Sequence, residues 1–83
     1  MDDTMEQIMY ILKELQDDNS VSKNIKNKVA EMQKNLESSK KEELSLKVNK
    51  ILSDLEDISS DVNVQPFIRT QMWHLTSLLE NLN

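Results

Sequence analysis

Apolar residues recur at three- and four-residue intervals in four stretches of the chain, the spacing that aligns one face of an α-helix. The first stretch carries Met1, Met5, Ile8, Met9, Leu12 and Leu15, and the second Val21, Ile25, Val29, Met32 and Leu36. The third carries Leu44, Val48, Ile51, Leu52, Leu55 and Ile58. The fourth carries Val64, Phe67, Ile68, Met72, Leu75, Leu78, Leu79 and Leu82. No stretch alternates with period two for long enough to predict a strand. The pattern predicts helices near 2–17, 21–37, 40–60 and 64–82. Local start signals agree. Asp3 with Glu6 and Ser39 with Glu42 have capping-box spacing, which satisfies free amides and sets acids against the positive end of a helix. Ser20 is the expected N-cap of the second helix and Asn63 of the fourth, with Pro66 in its first turn. Glu43 with Lys47, and Lys50 with Asp54, stand one turn apart and add small surface support. Connections of a few residues force neighbouring helices to run antiparallel. The expected fold is all-α: one antiparallel four-helix bundle over residues 1–83.

The pattern also repeats. A shift of 43 residues places Ile8 on Ile51, Leu12 on Leu55, Asp18 on Asp61 and Val21 on Val64. It also places Ile25 on Ile68, Leu36 on Leu79 and Glu37 on Glu80. Non-identical pairs stay apolar, among them Met5 with Val48, Met9 with Leu52, Val29 with Met72 and Met32 with Leu75. Two similar helical hairpins, about 1–38 and 39–83, account for this, related by duplication or by a common packing rule. Ile25 and Ile68, one turn after each shared Asp-x-x-Val start, are expected in the core.

The turn Asp18-Asn-Ser-Val-Ser-Lys-Asn-Ile25 and its counterpart Asp61-Val-Asn-Val-Gln-Pro-Phe-Ile-Arg69, followed by Met72-Trp73, carry a resemblance. The chain resembles the small archaeal Uncharacterised Protein Family number 147 from about Ile8 to Glu80, most distinctively around Arg69, Thr70 and Trp73. Relatives tend to carry a proline after the valine of each turn. Here Ser22 and Gln65 stand there, with Pro66 one place later. The resemblance implies a compact four-helix domain, an archaeal source and a cytoplasmic location. It implies no activity, because the family has no assigned function.

Composition narrows the chemistry. The 83 residues include no glycine and no cysteine. That excludes glycine-dependent phosphate loops and dinucleotide fingerprints, disulfides, thiol catalysis and thiolate metal sites. No apolar run approaches the roughly 20 residues needed to span a bilayer, and no signal-peptide pattern opens the chain. Metal sites in helical bundles use inward carboxylates with Glu-x-x-His motifs. The single histidine, His74, has no acid three residues before it, and reads as a surface or rim residue. The serines lack a local histidine–acid pattern. No enzyme, cofactor or metal is expected.

Charge and aromatic placement point instead to contact surfaces. The net charge is −5, which disfavours general nucleic-acid binding. Its distribution is uneven: residues 1–19 hold six acids against one lysine, and residues 20–41 six lysines against two acids. Lys23, Lys26 and Lys34 form an expected ridge off the apolar stripe of the second helix. It serves either electrostatics within or between copies, or docking to a nucleic acid or acidic protein. On a helical wheel Trp73 projects away from the fourth-helix stripe, with Arg69 close by, as do Tyr10 on the first helix and Leu46 on the third. Trp73 either covers a bundle edge or anchors an interface, a role that tryptophan and tyrosine favour. The expected function is a non-catalytic protein–protein interaction module with a protein partner, in its simplest form a homodimer. The alternative is a nucleic-acid-associated accessory protein using the lysine ridge.

Overall fold

Two turns decide where the helices begin. In the computed structural model, which describes residues 3–82, the Asp18 carboxylate accepts the Ser20 N–H at 2.8 Å and the Asp61 carboxylate accepts the Asn63 N–H at 2.9 Å. Short polar side chains favour this local turn because they satisfy the backbone without a helix. Each turn then closes through a backbone bond of 3.1 Å, from the Val21 N–H to the Asp18 carbonyl and from the Val64 N–H to the Asp61 carbonyl. Ser20 and Asn63 therefore belong to the turns and are not the expected helix caps. The second helix is capped two residues later by Ser22, whose hydroxyl accepts the Ile25 N–H at 3.3 Å. Gln65 takes the equivalent backbone place. Its carbonyl accepts the Arg69 N–H at 3.0 Å, as the Ser22 carbonyl accepts the Lys26 N–H at 2.9 Å.

The described residues form four α-helices and no strand: α1 Asp3–Asp17, α2 Lys23–Ser38, α3 Leu44–Ser59 and α4 Pro66–Leu82. Pro66 is the first residue of α4, where its missing N–H loses no helical bond. A 3-10 turn, Lys41–Glu43, leads into α3. Here too the expected box moves: the Glu43 carboxylate accepts the Lys40 N–H at 3.3 Å, while the Ser39 hydroxyl donates to the Asn35 carbonyl at the end of α2. Met1 and Asp2 lie outside the described residues, as does Asn83.

Helices α1 and α3 each pack on both α2 and α4, and the contact between α2 and α3 is the least close. The core between them contains Ile8, Leu12 and Leu15 of α1, Ile25, Val29, Met32 and Leu36 of α2, and their offset partners in α3 and α4. Ile25 and Ile68 are both buried, as their place after the turns predicts. Every buried residue among those described is apolar, so folding here rests on removing aliphatic surface from water. Val21 and Val64 precede their helices yet are buried. This explains why apolar periodicity alone starts both helices two residues early.

Candidate interaction surfaces

The aromatic side chains set off from the apolar stripes are exposed, and the fold distributes them over different faces. Trp73 is 61% exposed and flanks a shallow groove between α3 and α4 together with Leu52, Glu56 and Glu80. Ser59 and Thr76, in the same groove, bond back to the Glu56 and Met72 carbonyls at 3.2 and 2.9 Å. The floor is thus free of competing polar demands from those hydroxyls. Tyr10 is 65% exposed and lies on the other flank of α4, over the α1–α4 seam. Leu46, at the start of α3, lines neither groove. Tyr10, Trp73 and Leu46 therefore do not form one patch.

The α1–α4 seam brings in Phe67, which flanks the fourth-helix stripe and is not among the candidate interface residues. Phe67 is 52% exposed and shares a groove with Tyr10, Ile11 and Glu14. Gln71 and Ile11 continue that groove toward His74, Glu6 and Asp3. The 43-residue offset held a signal: Asn24, not an aromatic, stands 43 residues before Phe67. The Glu14 carboxylate hydrogen-bonds the Tyr10 phenol and its charge opposes phenolate formation, so the phenol is held above its ordinary value. Their four-residue spacing makes this contact natural on one helix face.

The basic candidates divide in the same way. Lys23 and Lys34 are exposed, whereas Lys26 is half-buried. Lys26 lies near enough to Asp18 to stabilise its carboxylate. The Ser20 hydroxyl and backbone N–H contribute more, and together these contacts hold the carboxyl below the usual range. Arg69, the offset partner of Lys26, turns to the corresponding loop. Its Nη2 donates to the Asp61 carbonyl at 3.1 Å and reaches the Val64 carbonyl at 3.5 Å. Its buried Nε has no hydrogen-bond partner, which takes back part of that gain. Arg69 therefore braces its turn through hydrogen bonds, whereas Lys26 contributes only its charge near Asp18. Among the described residues no group of three or more acids and histidines is placed to hold a metal ion, and His74 is exposed beside the α1–α4 groove.

An all-helical chain with an aliphatic core, acidic turns and exposed aromatic flanks is the class of protein defined here. The chain belongs to the Uncharacterised protein family (UPF0147), whose model matches residues 1–82. It is similar to UPF0147 proteins of Archaeoglobus fulgidus, at 33% identity over 95% of this chain and 88% of the relative, and of Thermoplasma volcanium, at 38% over 92% and 84%. A relative from Methanothermobacter thermautotrophicus is 30% identical over 96% of this chain and 78% of its own length. The resemblance carried by the two turns is therefore correct, and it extends beyond Ile8 and Glu80 at both ends. No solved structure matches the chain. No helix of the described residues is long and apolar enough to cross a membrane.

Proposed function

We propose that this chain is a non-catalytic protein–protein interaction module. Its scaffold is an antiparallel bundle of two duplicated helical hairpins, and it works in the cytoplasm. The supporting observation is the pair of aromatic flanks on α4: Trp73 exposed on the α3 side, and Phe67 exposed with Tyr10 on the α1 side. Large aromatics left in water lose the stabilisation of about 25 cal/mol for each Å² that a partner can cover, and they are favoured interface anchors. The recurrence of turn bonds and buried positions at a 43-residue offset supports the duplicated scaffold. The nucleic-acid reading has less behind it. The ridge of Lys23, Lys26 and Lys34 is small, too little to dominate phosphate binding in a chain of charge −5.

The simplest contact is between two copies through Trp73, since a two-fold dimer needs only one self-complementary patch. Sedimentation of the wild type and Trp73→Ala over a concentration series tests it. Concentration-dependent dimers in the wild type, shifted toward monomer in the variant with helix content unchanged, are the expected result. A wild type that stays monomeric at high concentration removes the homodimer. Tight, salt-sensitive binding of RNA or DNA near physiological salt would reverse the order of the two functional readings.

A further inference from the structure

The exposed surface between α1 and α4 combines an apolar floor with charge of one sign. Tyr10 and Phe67 are each more than half exposed, and Ile11, 8% exposed, lies with them. The ionised side chains around them are carboxylates: Asp3 and Glu6 toward one end, Glu14 and Asp18 toward the other. No lysine or arginine lines the groove. We infer that it is the docking site for a basic amphipathic segment of another protein. Apolar side chains of that segment cover Tyr10, Ile11 and Phe67, and its lysines or arginines meet the acidic rim. This rests on the interaction-module reading but is independent of the Trp73 contact.

Three comparisons select this occupant. A second copy presenting the same face sets acids against acids, and like-charge juxtaposition is unfavourable across an interface. A second copy presenting α2 brings Lys23 and Lys34 but no anchor. Among the described residues the exposed large hydrophobic ones are Tyr10, Leu46, Val62, Phe67 and Trp73, and none is on α2. A nucleic acid is repelled by the rim. Size agrees with a helical segment: from Asp3 to Asp18 at 1.5 Å per residue the acidic rim runs about 22 Å, or about four helical turns.

The repeat supplies an internal control. The offset replaces Tyr10 by Ser53, Ile11 by Asp54 and Phe67 by Asn24. At the offset position of Ile11, Asp54 pairs with Lys50 along α3 at 3.7 Å. Helices α2 and α3 thus pack together with polar residues at the offset positions, so the bundle pattern does not by itself call for aromatics on the α1–α4 side.

The test uses the full chain and a fluorescently labelled synthetic peptide of about four turns, with leucines on one helical face and lysines on the other. Fluorescence anisotropy should report saturable binding that weakens with salt, because exposed charges are screened. Tyr10→Ser with Phe67→Asn, which installs the residues of the other seam, should weaken binding by about tenfold or more, as expected when interface anchors are removed. Glu6→Gln with Glu14→Gln should also weaken it, and circular dichroism checks that both variants stay helical. A scrambled peptide of the same composition, and a leucine–glutamate peptide, should bind at least about tenfold more weakly, as the loss of anchors or of charge complementarity requires. Undiminished binding by the Tyr10/Phe67 variant, or equal binding of the scrambled or acidic peptide, overturns the inference. So does the absence of wild-type binding. Sedimentation without peptide reads the Trp73 contact separately, so failure of one does not imply failure of the other.

Discussion

A 43-residue offset relates positions on α1 and α4 to positions on α3 and α2, yet the two sets carry different chemistry. In the first, Ile11 is buried and Tyr10 and Phe67 stand over it. In the second, the equivalent positions are Asp54, Ser53 and Asn24, and Lys50 pairs with Asp54. The apolar seam packs more closely than the charged one. Buried positions shared by the two halves, such as Ile8 with Ile51 and Ile25 with Ile68, explain the fold. Positions that differ across the offset carry the information about function. A helix needs one apolar stripe to fold, and its flanks are free to diverge.

The most disruptive way to probe the shared part is to truncate its core. Ile25→Ala and Ile68→Ala should each cost about 2–5 kcal/mol in denaturant unfolding, from lost transfer energy and the cavity left behind. Similar costs in the two halves would match their equivalence, and a negligible cost at either would break it.

Exchanging the seams should give unequal results. Ile11→Asp places a carboxylate at a buried position and should cost about 2–3 kcal/mol. Asp54→Ile loses only an exposed pair of the kind worth about 0.3–0.5 kcal/mol and should leave stability within about 1 kcal/mol of the wild type. Equal destabilisation by both changes would show that the seams are not distinguished by burial.

The caps sharpen the comparison further. Ser22→Ala removes a side-chain bond to the Ile25 N–H and should cost about 1 kcal/mol. Gln65→Ala, at the equivalent place before Pro66, should cost less than half of that, on a thermal or denaturant scale, because no side-chain cap bond is lost there and surface substitutions stay within about 0.5 kcal/mol.

The smallest expected effect is on pH dependence. Folding lowers the pKa of Asp18, mainly through Ser20. The unfolded chain therefore binds more protons in the window between the two values, and stability falls as pH falls through it. The contribution is complete above the ordinary aspartate range and lost toward the lowered folded value. Thermal melts should show the wild type losing more stability on acidification through that window than Asp18→Asn does. Parallel losses would remove Ser20 and Lys26 as the cause.

The four helices and the core were legible because aliphatic spacing directly records which face is removed from water, as Leu12, Met32, Leu55 and Leu75 illustrate. Helix starts were less legible. Asp18 and Asp61 accept the Ser20 and Asn63 amides and so draw those residues into the turns, and residue spacing does not reveal that these hydrogen bonds form in place of a helix cap. A wheel correctly places Trp73, Tyr10 and Leu46 off their stripes. It treats each helix alone, however, and so does not show that they lie apart, or that Arg69 faces its turn. Phe67 was read as a flank of the core stripe. Its exposure beside Tyr10 emerges only once α1 and α4 are set side by side.

The central claim is that the α1–α4 seam is a recognition surface and the α2–α3 seam is not. Amide chemical-shift mapping of the labelled chain, titrated with the leucine–lysine peptide, addresses it most directly. The account predicts that the largest changes cluster around Tyr10, Ile11, Phe67 and Gln71, with the amides of Asn24, Lys28, Ser53 and Asp54 little affected. Changes centred on the α2–α3 seam, or spread evenly over all acidic residues, would contradict it.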